Sequence, residues 1–199
     1  DSTGHGNTYY EDKVAFLWNI NQKGFKKKGC DASCHMAEDG IVAGIEDTSA
    51  GRHFTDPGET LDAWHWKSAR TNAVFQSDDQ YFNWDRKDAN PKGWGRHGDS
   101  KTAGGYYNNV NADKTGPAWM NTHAGDGPVY WVREEDKVEF EDRFNPGDVV
   151  GGIVARAFQG SRGDLGSKGV WEGGVWTLEI KRKLVTSGEN ADSQDVQFV

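Results

Sequence analysis

The stretch VWEGGVWTLEIK, residues 170–181, indicates most clearly which fold this chain adopts. A glycine pair separates two runs of aromatic and β-branched residues, which is the arrangement of a β-hairpin with a tight turn. In the second run, Trp176, Leu178 and Ile180 alternate with polar residues, so they share one face of a strand. The stretch therefore predicts a hairpin with its apolar residues on one face.

Further strands are predicted along the chain, between segments rich in glycine and polar residues. The predicted strands are VAFLWN at 14–19, DAWHWKSAR at 62–70, VYWV at 129–132 and DVVGGIVARAF at 148–158. The predicted loops are residues 37–60, 76–117 and 186–195. The pattern predicts one domain over residues 1–199. We expect a mainly β protein, a two-sheet β-sandwich with long loops and few short helices.

The composition excludes two classes of partner. The chain of 199 residues has a formal net charge of −8, whereas a protein that binds nucleic acid needs a basic face. No apolar run approaches the ~20 residues that a membrane span requires.

The nine tryptophans fit core positions, or the wall of a cofactor or sugar site. The sequence starts at Asp1 and not at methionine, which fits either leader removal or trimming.

The two cysteines of the chain lie together in CDASCH, residues 30–35, and a histidine follows the second one. Covalent haem attachment uses this arrangement, because two thiols add to the haem vinyl groups and the adjacent imidazole binds the iron. The usual spacing is C-x-x-C-H, and the loop here is one residue longer. We interpret the segment as a site for haem c, attached through Cys30 and Cys34 with His35 as axial ligand. Such attachment takes place outside the cytoplasm, so the expected location is periplasmic or extracellular.

Two other interpretations of the cysteines remain open. Cys30 and Cys34 could form a small disulfide loop, as in many secreted domains. They could also join His35 in a zinc site, although such a site needs a fourth ligand and the chain has no second cysteine pair. Neither interpretation explains why a histidine directly follows the second cysteine.

The block DAWHWK at 62–67, followed by ARTN at 69–72, resembles the signature of the ethylbenzene dehydrogenase-related haem-binding domain family. Stretches near the end of the chain are similar to the closing strands of that family. They are GDVV at 147–150, GSRGD at 160–164, KGVW at 168–171, GVWTLE at 174–179 and DVQF at 195–198. The resemblance covers nearly the whole chain and is weakest over residues 76–127.

The resemblance implies a β-sandwich that holds one haem. Well-known members are the small haem subunits of molybdenum enzymes that act on ethylbenzene and dimethylsulfide, with haem b between a methionine and a lysine. Other members carry a cysteine attachment motif near the first strand, and this chain resembles those. His53 stands about where the family has its ligand methionine, and Lys168 about where it has its ligand lysine.

The sixth iron ligand is open at this stage. His53 is our first expectation, because imidazole binds haem iron strongly and the position matches that of the family methionine. Lys168 is second, since it would have to bind as a neutral amine with a depressed pKa. Met120 and His65 are further alternatives. His65 lies between two tryptophans, and we interpret it as a haem-pocket residue that bonds a propionate.

These residues are compatible with three functions. The first is a monohaem electron carrier, not itself an enzyme, with redox proteins as partners and a molybdenum oxidoreductase among them. The second is a tryptophan-rich carbohydrate-binding module with a disulfide. The third is a haem enzyme or sensor with an open coordination site. The pair Asp78 and Asp79, with Asp85 and Asp88, matches no standard Ca²⁺ loop and is expected to be a solvated acidic loop.

Overall fold

The computed structural model describes residues 11–35, 41–42, 45–46, 52–86, 94–122, 130–188 and 190–199. For some of these, only the backbone is described: Cys34, His35, Ile41, Val42, Ile45, Glu46, Arg52, Arg86 and Trp94. The described part is mainly β, with several sheets and few short helices, which confirms the predicted fold class and is consistent with a β-sandwich.

The elements within the described ranges are short strands joined by turns. The strands are β1 Lys13–Asn19, β2 Cys34–His35, β3 Ile41–Val42, β4 Ile45–Glu46, β5 Arg52–His53, β6 Leu61–Lys67, β7 Asp78–Arg86, β8 Trp94–Gly98, β9 Ala103–Asn108, β10 Trp119–Asn121, β11 Val132–Arg133, β12 Lys137–Glu139, β13 Ile153–Gln159, β14 Gly166–Glu172 and β15 Val175–Lys181. The helices are α1 Phe25–Lys28 and α2 Ala191–Gln194, with 3-10 turns at Gly29–Ser33, Asn72–Val74, Glu134–Asp136 and Ser161–Gly163.

An antiparallel sheet of four strands, in the order β1-β6-β7-β8, carries much of the core. Strand β6 lies inside it and buries Leu61, Ala63 and Trp66. Strand β1, predicted at 14–19, forms the edge of the sheet, and Phe16 is 42% exposed. An edge strand has a partner on one side only, so its apolar residues are covered less completely.

A second sheet has the order β11-β13-β9, and Val132 and Val154, which pair with each other across β11 and β13, are both fully buried. Gln76 links the two sheets through the backbone of Phe158. Its Nε2 donates to the carbonyl oxygen at 3.1 Å, and its Oε1 accepts from the N–H at 2.7 Å. The amide side chain thus replaces a backbone partner and fixes the position of β13 relative to β7.

The predicted hairpin is present as β14 and β15, with its turn at Gly173 and Gly174. Both turn residues have positive φ, of 59° and 84°, as a two-residue type I′ turn requires. The hairpin lies against β6, where the Trp66 ring occupies the space that a side chain at Gly169 would need. Trp66 also meets Trp176 edge to face, with ring centroids 4.9 Å apart.

Several predicted segments differ from the structure. Residues 37–60 were predicted as loops but contain β3, β4 and β5, residues 76–117 contain β7, β8 and β9, and residues 186–195 contain α2. Of the strand predicted at 129–132, only residue 132 lies in a described strand, β11. Strand β13 begins at residue 153 and not at 148, so Gly151 and Gly152 precede the strand. Strand β7 was missed because it is highly polar, and the cations that bind its buried Asp78 are distant in sequence. No helix in the described ranges is long and apolar enough to cross a membrane.

Candidate functional site

The cysteine–histidine segment begins directly after a short basic helix. Helix α1 starts after Gly24, whose φ of 80° sets the chain direction, and it exposes three lysines, residues 26–28. A 3-10 turn, Gly29–Ser33, then carries Cys30 and leads into β2. The segment therefore lies on a tight turn followed by a short strand, and Cys30 is exposed.

Ser33 anchors the residues between the two cysteines. Its hydroxyl is fully buried and donates to the carbonyl oxygen of Cys30 at 2.8 Å. Its own carbonyl oxygen accepts from the N–H of Phe54 at 3.0 Å. The loop between the cysteines is therefore closed on itself and bonded to the chain that follows β5.

Strand β5 pairs antiparallel with β2, and this pairing brings two predicted ligand residues close together. In the register, Cys34 lies opposite His53 and His35 lies opposite Arg52. Opposite residues of an antiparallel pair have Cα atoms about 4.5–5.5 Å apart. The structure thus places His53 beside the attachment segment, about 20 residues along the chain. The side chains of Cys34 and His35 lie outside the described part of the chain.

Aromatic side chains and β8 support β5 from the other side. The His53 ring is half-buried and lies 6.0 Å from the ring of Phe82, between centroids. Phe54 is buried and meets Trp84 edge to face at 5.4 Å. Gly95 of β8 has φ of 76°, and a Cβ there would lie 1.9 Å from the carbonyl oxygen of His53. Only glycine permits this close approach.

The turn after β5 is fixed to the segment that precedes α1. The hydroxyl of Thr55 donates to the carbonyl oxygen of Glu59 at 2.7 Å, and both residues are buried. The Glu59 carboxylate accepts a hydrogen bond from the N–H of Lys23 at 3.1 Å. Oδ1 of Asn21 accepts one from the N–H of Thr60 at 2.7 Å. These bonds hold the start of the attachment segment against the end of β5, so the two parts of the site are positioned together.

The donor set fits covalent haem. Cys30 is a free thiol in the described part of the chain, and the side chain of Cys34 lies outside that part, so the structure does not test the disulfide interpretation. The Cys30 thiol is exposed on a turn, where a bulky group can reach it. Buried Phe54 directly follows β5, the strand that pairs with β2, and its ring contacts the half-buried ring of Trp84. Cys30 and Cys34 would hold the haem, and His35 would supply an imidazole to the iron.

His65 lies on β6 and has a protein partner. Its Nδ1 is 3.2 Å from Oε1 of Gln80, and the side chain is half-buried. The pKa of His65 is lowered to about 4, first by burial and then by the charge of Lys67. The imidazole is therefore neutral at pH 7. Its bond to a propionate stays a prediction.

The two remaining ligand candidates lie on other elements. Lys168 is exposed on β14 and pairs across the hairpin with Glu179. Met120 is buried on β10, and its sulfur lies 3.8 Å from a guanidinium nitrogen of Arg143. Neither lies on a strand that pairs with β2, in contrast to His53.

Asp78 and Asp79 were predicted to lie in a solvated loop. The structure instead places both residues on β7, where they are fully buried. Asp78 accepts hydrogen bonds from Lys67 and Arg162, the latter at 2.6 Å from Nε. Asp79 lies near Asp62 and belongs to a different cluster. Asp85 is exposed, and Asp88 lies outside the described residues. Sequence patterns missed this burial, because adjacent residues of a strand point to opposite faces and find different partners.

A large cavity was also missed by the sequence patterns. It has a volume of about 1130 Å³ and lies between β9, the chain before β13 and the hairpin. Aromatic side chains dominate its walls: Tyr106, Tyr107, Tyr130, Trp131, Trp171 and Trp176. Of these, Tyr130 is 65% exposed and Trp171 56% exposed. Of the cysteine–histidine segment, residues 30–33, whose side chains the structure describes, do not line the cavity.

Fold and site together define a mainly β protein with a cysteine–histidine segment seated on a short strand pair. The chain belongs to the ethylbenzene dehydrogenase family, whose family model matches residues 1–198. This match confirms the resemblance inferred from residues 62–72 and the closing stretches, and it relates the chain to the subunits of that oxidoreductase. Searches of curated proteins and of solved structures each returned no match.

Proposed function

We propose that this chain is a monohaem c-type cytochrome that transfers electrons. Cys30 and Cys34 hold the haem through thioether bonds, and His35 is an axial ligand. The observation that carries this proposal is the C-x-x-x-C-H segment, in which Cys30 is an exposed free thiol on a turn tied down by Ser33. When bound, haem iron takes up and releases single electrons.

His53 is the proposed sixth ligand. Its support is the register that sets it opposite Cys34 and its half-buried ring next to Phe82. His35 and His53 would then each supply an imidazole nitrogen to the iron. Two strong ligands leave no position for a substrate, which favours an electron carrier over an enzyme or a sensor.

The proposed partners are redox proteins, with a molybdenum oxidoreductase among them, and the proposed location is periplasmic or extracellular. Family membership supports a place beside an oxidoreductase. The net charge of −8 favours a partner with a basic face. Steered encounters of this kind slow as salt is added, because the Debye length falls to about 8 Å at physiological ionic strength.

The test is a pyridine haemochrome spectrum of the purified protein, with a haem-stained denaturing gel. We expect a c-type spectrum and a stained band that remains with the polypeptide. The double variant Cys30→Ser/Cys34→Ser should lose the stained band. His35→Ala should lose the low-spin spectrum, whereas the control His97→Gln, a half-buried histidine of β8, should keep it.

Two results would contradict the proposal. Haem that leaves the polypeptide on denaturation would indicate a b-type site without thioether bonds. A purified protein that contains no haem, after expression together with a cytochrome c maturation system, would exclude a cytochrome altogether.

The aromatic cavity favours a second candidate function, the binding of carbohydrate by ring stacking. Exposed Trp171 and Tyr130 at its wall offer flat apolar faces, and Arg70 and Glu11 supply polar groups. A titration of tryptophan fluorescence with neutral oligosaccharides tests it. Saturable quenching that is lost in Trp171→Ala, but kept in the exposed control Phe75→Ala, would support this function. The absence of any quenching would exclude it for those sugars.

A further inference from the structure

Four buried carboxylates meet between the four-stranded sheet and the C-terminal segment. They are Asp62 of β6, Asp79 of β7, Asp99 just after β8 and Asp195 just after α2. Their side chains lie in residues that are at most 3% exposed. Arg182 is the cation among them, and its guanidinium is 1% exposed. A buried carboxylate is stable only when a cation, a proton or hydrogen-bond donors compensate its charge.

One carboxylate oxygen of Asp62 accepts several hydrogen bonds. The other is bare, that is, it has no hydrogen-bond donor among the described residues. The donors to its Oδ2 are Arg182 Nη1 at 2.9 Å, the N–H of Val196 at 3.0 Å and Trp64 Nε1 at 3.1 Å. Its Oδ1 is buried and receives no hydrogen bond from the described residues. The two oxygens of one carboxylate thus have very different surroundings.

Asp79 and Asp99 repeat this pattern. Oδ1 of Asp79 accepts from the N–H of Gln80 at 3.1 Å, and Oδ2 of Asp99 accepts from the hydroxyl of Ser161 at 3.2 Å. The other oxygen of each carboxylate is buried and has no hydrogen-bond donor within the described ranges. In each case one oxygen holds the side chain in place while the second stays uncompensated.

Asp195 is the second, independent sign of a missing ligand. Its side chain is 1% exposed, and neither of its oxygens has a hydrogen-bond donor in the described part of the chain. The nearest cationic atom is Nη1 of Arg182, 3.9 Å from Oδ1. A buried acceptor without a donor is destabilising, and more so when it is charged, so native proteins rarely leave both oxygens of a carboxylate bare.

One guanidinium cannot balance this group. Nη1 of Arg182 lies 2.9 Å from Asp62 but 3.8 Å from Asp79. Without a further cation, some carboxyls must take up protons. The chain alone therefore leaves the cluster short of positive charge.

We propose that this cluster binds a calcium ion through the bare oxygens of Asp62, Asp79 and Asp195, with Asp99 as a fourth ligand. Ligand oxygens of the first three lie within 4.8 Å of one another. Oxygens on one Ca²⁺ lie 2.3–2.6 Å from the ion, so they can be up to about 5 Å apart, and a separation of at most 4.8 Å satisfies this limit.

The number of donors also suits calcium. The four carboxylates offer five bare oxygens, two of them from Asp195, and Ca²⁺ takes about six to eight oxygen ligands. The ion would join β6 and β7 to the C-terminal segment. Its role is structural, and it is independent of the haem.

The test combines metal analysis with thermal unfolding. The protein as purified, haem included, should contain about one calcium per chain by mass spectrometry. A strong chelator should lower the unfolding temperature, and calcium should restore it. At a calcium concentration 100 times Kd, the expected shift is roughly 5–10 °C. Asp79→Asn and Asp195→Asn should abolish the shift, whereas the exposed control Asp142→Asn should keep it.

The variants also distinguish a lost ligand from a damaged fold. Each asparagine removes one uncompensated negative charge, so without calcium both variants should unfold at or above the temperature of the chelated wild type. The proposal is overturned if the wild type contains no calcium and shows no shift on its addition, because shared protons would then balance the cluster. A shift that persists in both Asp79→Asn and Asp195→Asn would place any calcium elsewhere and also overturn it.

Discussion

Replacing Asp78 with asparagine tests the buried charge network between the two main sheets. The Asp78 carboxylate is fully buried and accepts hydrogen bonds from the ammonium group of Lys67, from Arg162 Nε at 2.6 Å and from Gln80 Nε2 at 2.9 Å. The Lys67 side chain is 3% exposed, and its other hydrogen bond goes to the hydroxyl of Tyr106 at 3.1 Å. The variant would leave two cations close together without their shared anion.

The expected loss follows from this geometry. Breaking a buried ion pair by removing one partner costs about 3–5 kcal/mol, because the remaining charge stays buried without compensation. In a chain of this size, 1 kcal/mol corresponds to roughly 2–4 °C, so Asp78→Asn should lower the unfolding temperature by roughly 6–20 °C. Burial raises the pKa of Asp78, but Arg162 and Lys67 outweigh it and lower the pKa below its ordinary value, so the group is charged at neutral pH.

Urea and thermal unfolding at pH 7, followed by circular dichroism, measure this loss. The double variant Asp78→Asn/Lys67→Met removes the stranded ammonium as well, so it should be more stable than the sum of the single changes predicts, by about 0.5–3 kcal/mol. The exposed control Asp113→Asn should unfold like the wild type. The reasoning fails if Asp78→Asn unfolds within about 2 °C of the wild type, or if the effects of Asp78→Asn and Lys67→Met are additive.

Further predictions concern pH, packing and the iron. His65 has a folded pKa of about 4. Neutral His65 therefore contributes stability that is fully present above its unfolded pKa of about 6.5 and is lost as the pH falls toward 4. His65→Gln should make the unfolding temperature depend less steeply on pH over this range. An unchanged slope would contradict this prediction. Gly169→Ala puts a Cβ 2.4 Å from the Trp66 ring and should cost about 1–3 kcal/mol in urea unfolding. Gly95→Ala should displace β5, because its Cβ would strike the His53 carbonyl oxygen, and should therefore change the haem absorption spectrum. His53→Ala should convert a low-spin absorption spectrum to high-spin, and an unchanged spectrum would assign the sixth ligand elsewhere.

The candidate site was only half predictable from sequence. The C-x-x-x-C-H segment consists of six consecutive residues, so the sequence alone suggests its chemistry. The structure adds the hydrogen bond from the Ser33 hydroxyl to the carbonyl oxygen of Cys30, which closes the loop between the two cysteines. The nearness of His53 depends on the pairing of β2 with β5. A family position suggested His53 as a ligand, but only the strand pairing shows that it lies opposite Cys34.

The sequence by itself determined the features that arise from neighbouring residues. Alternating side chains at residues 175–181 and the glycine pair before them specify the hairpin, because strand period and turn geometry are local. Only the tertiary structure shows which acidic residues are buried and which groups they face. Asp78 and Asp79 are adjacent in the chain, yet one faces Lys67 and Arg162 and the other faces Asp62. Burial of a charge depends on what opposes it, and here the opposing groups come from strands far apart in sequence.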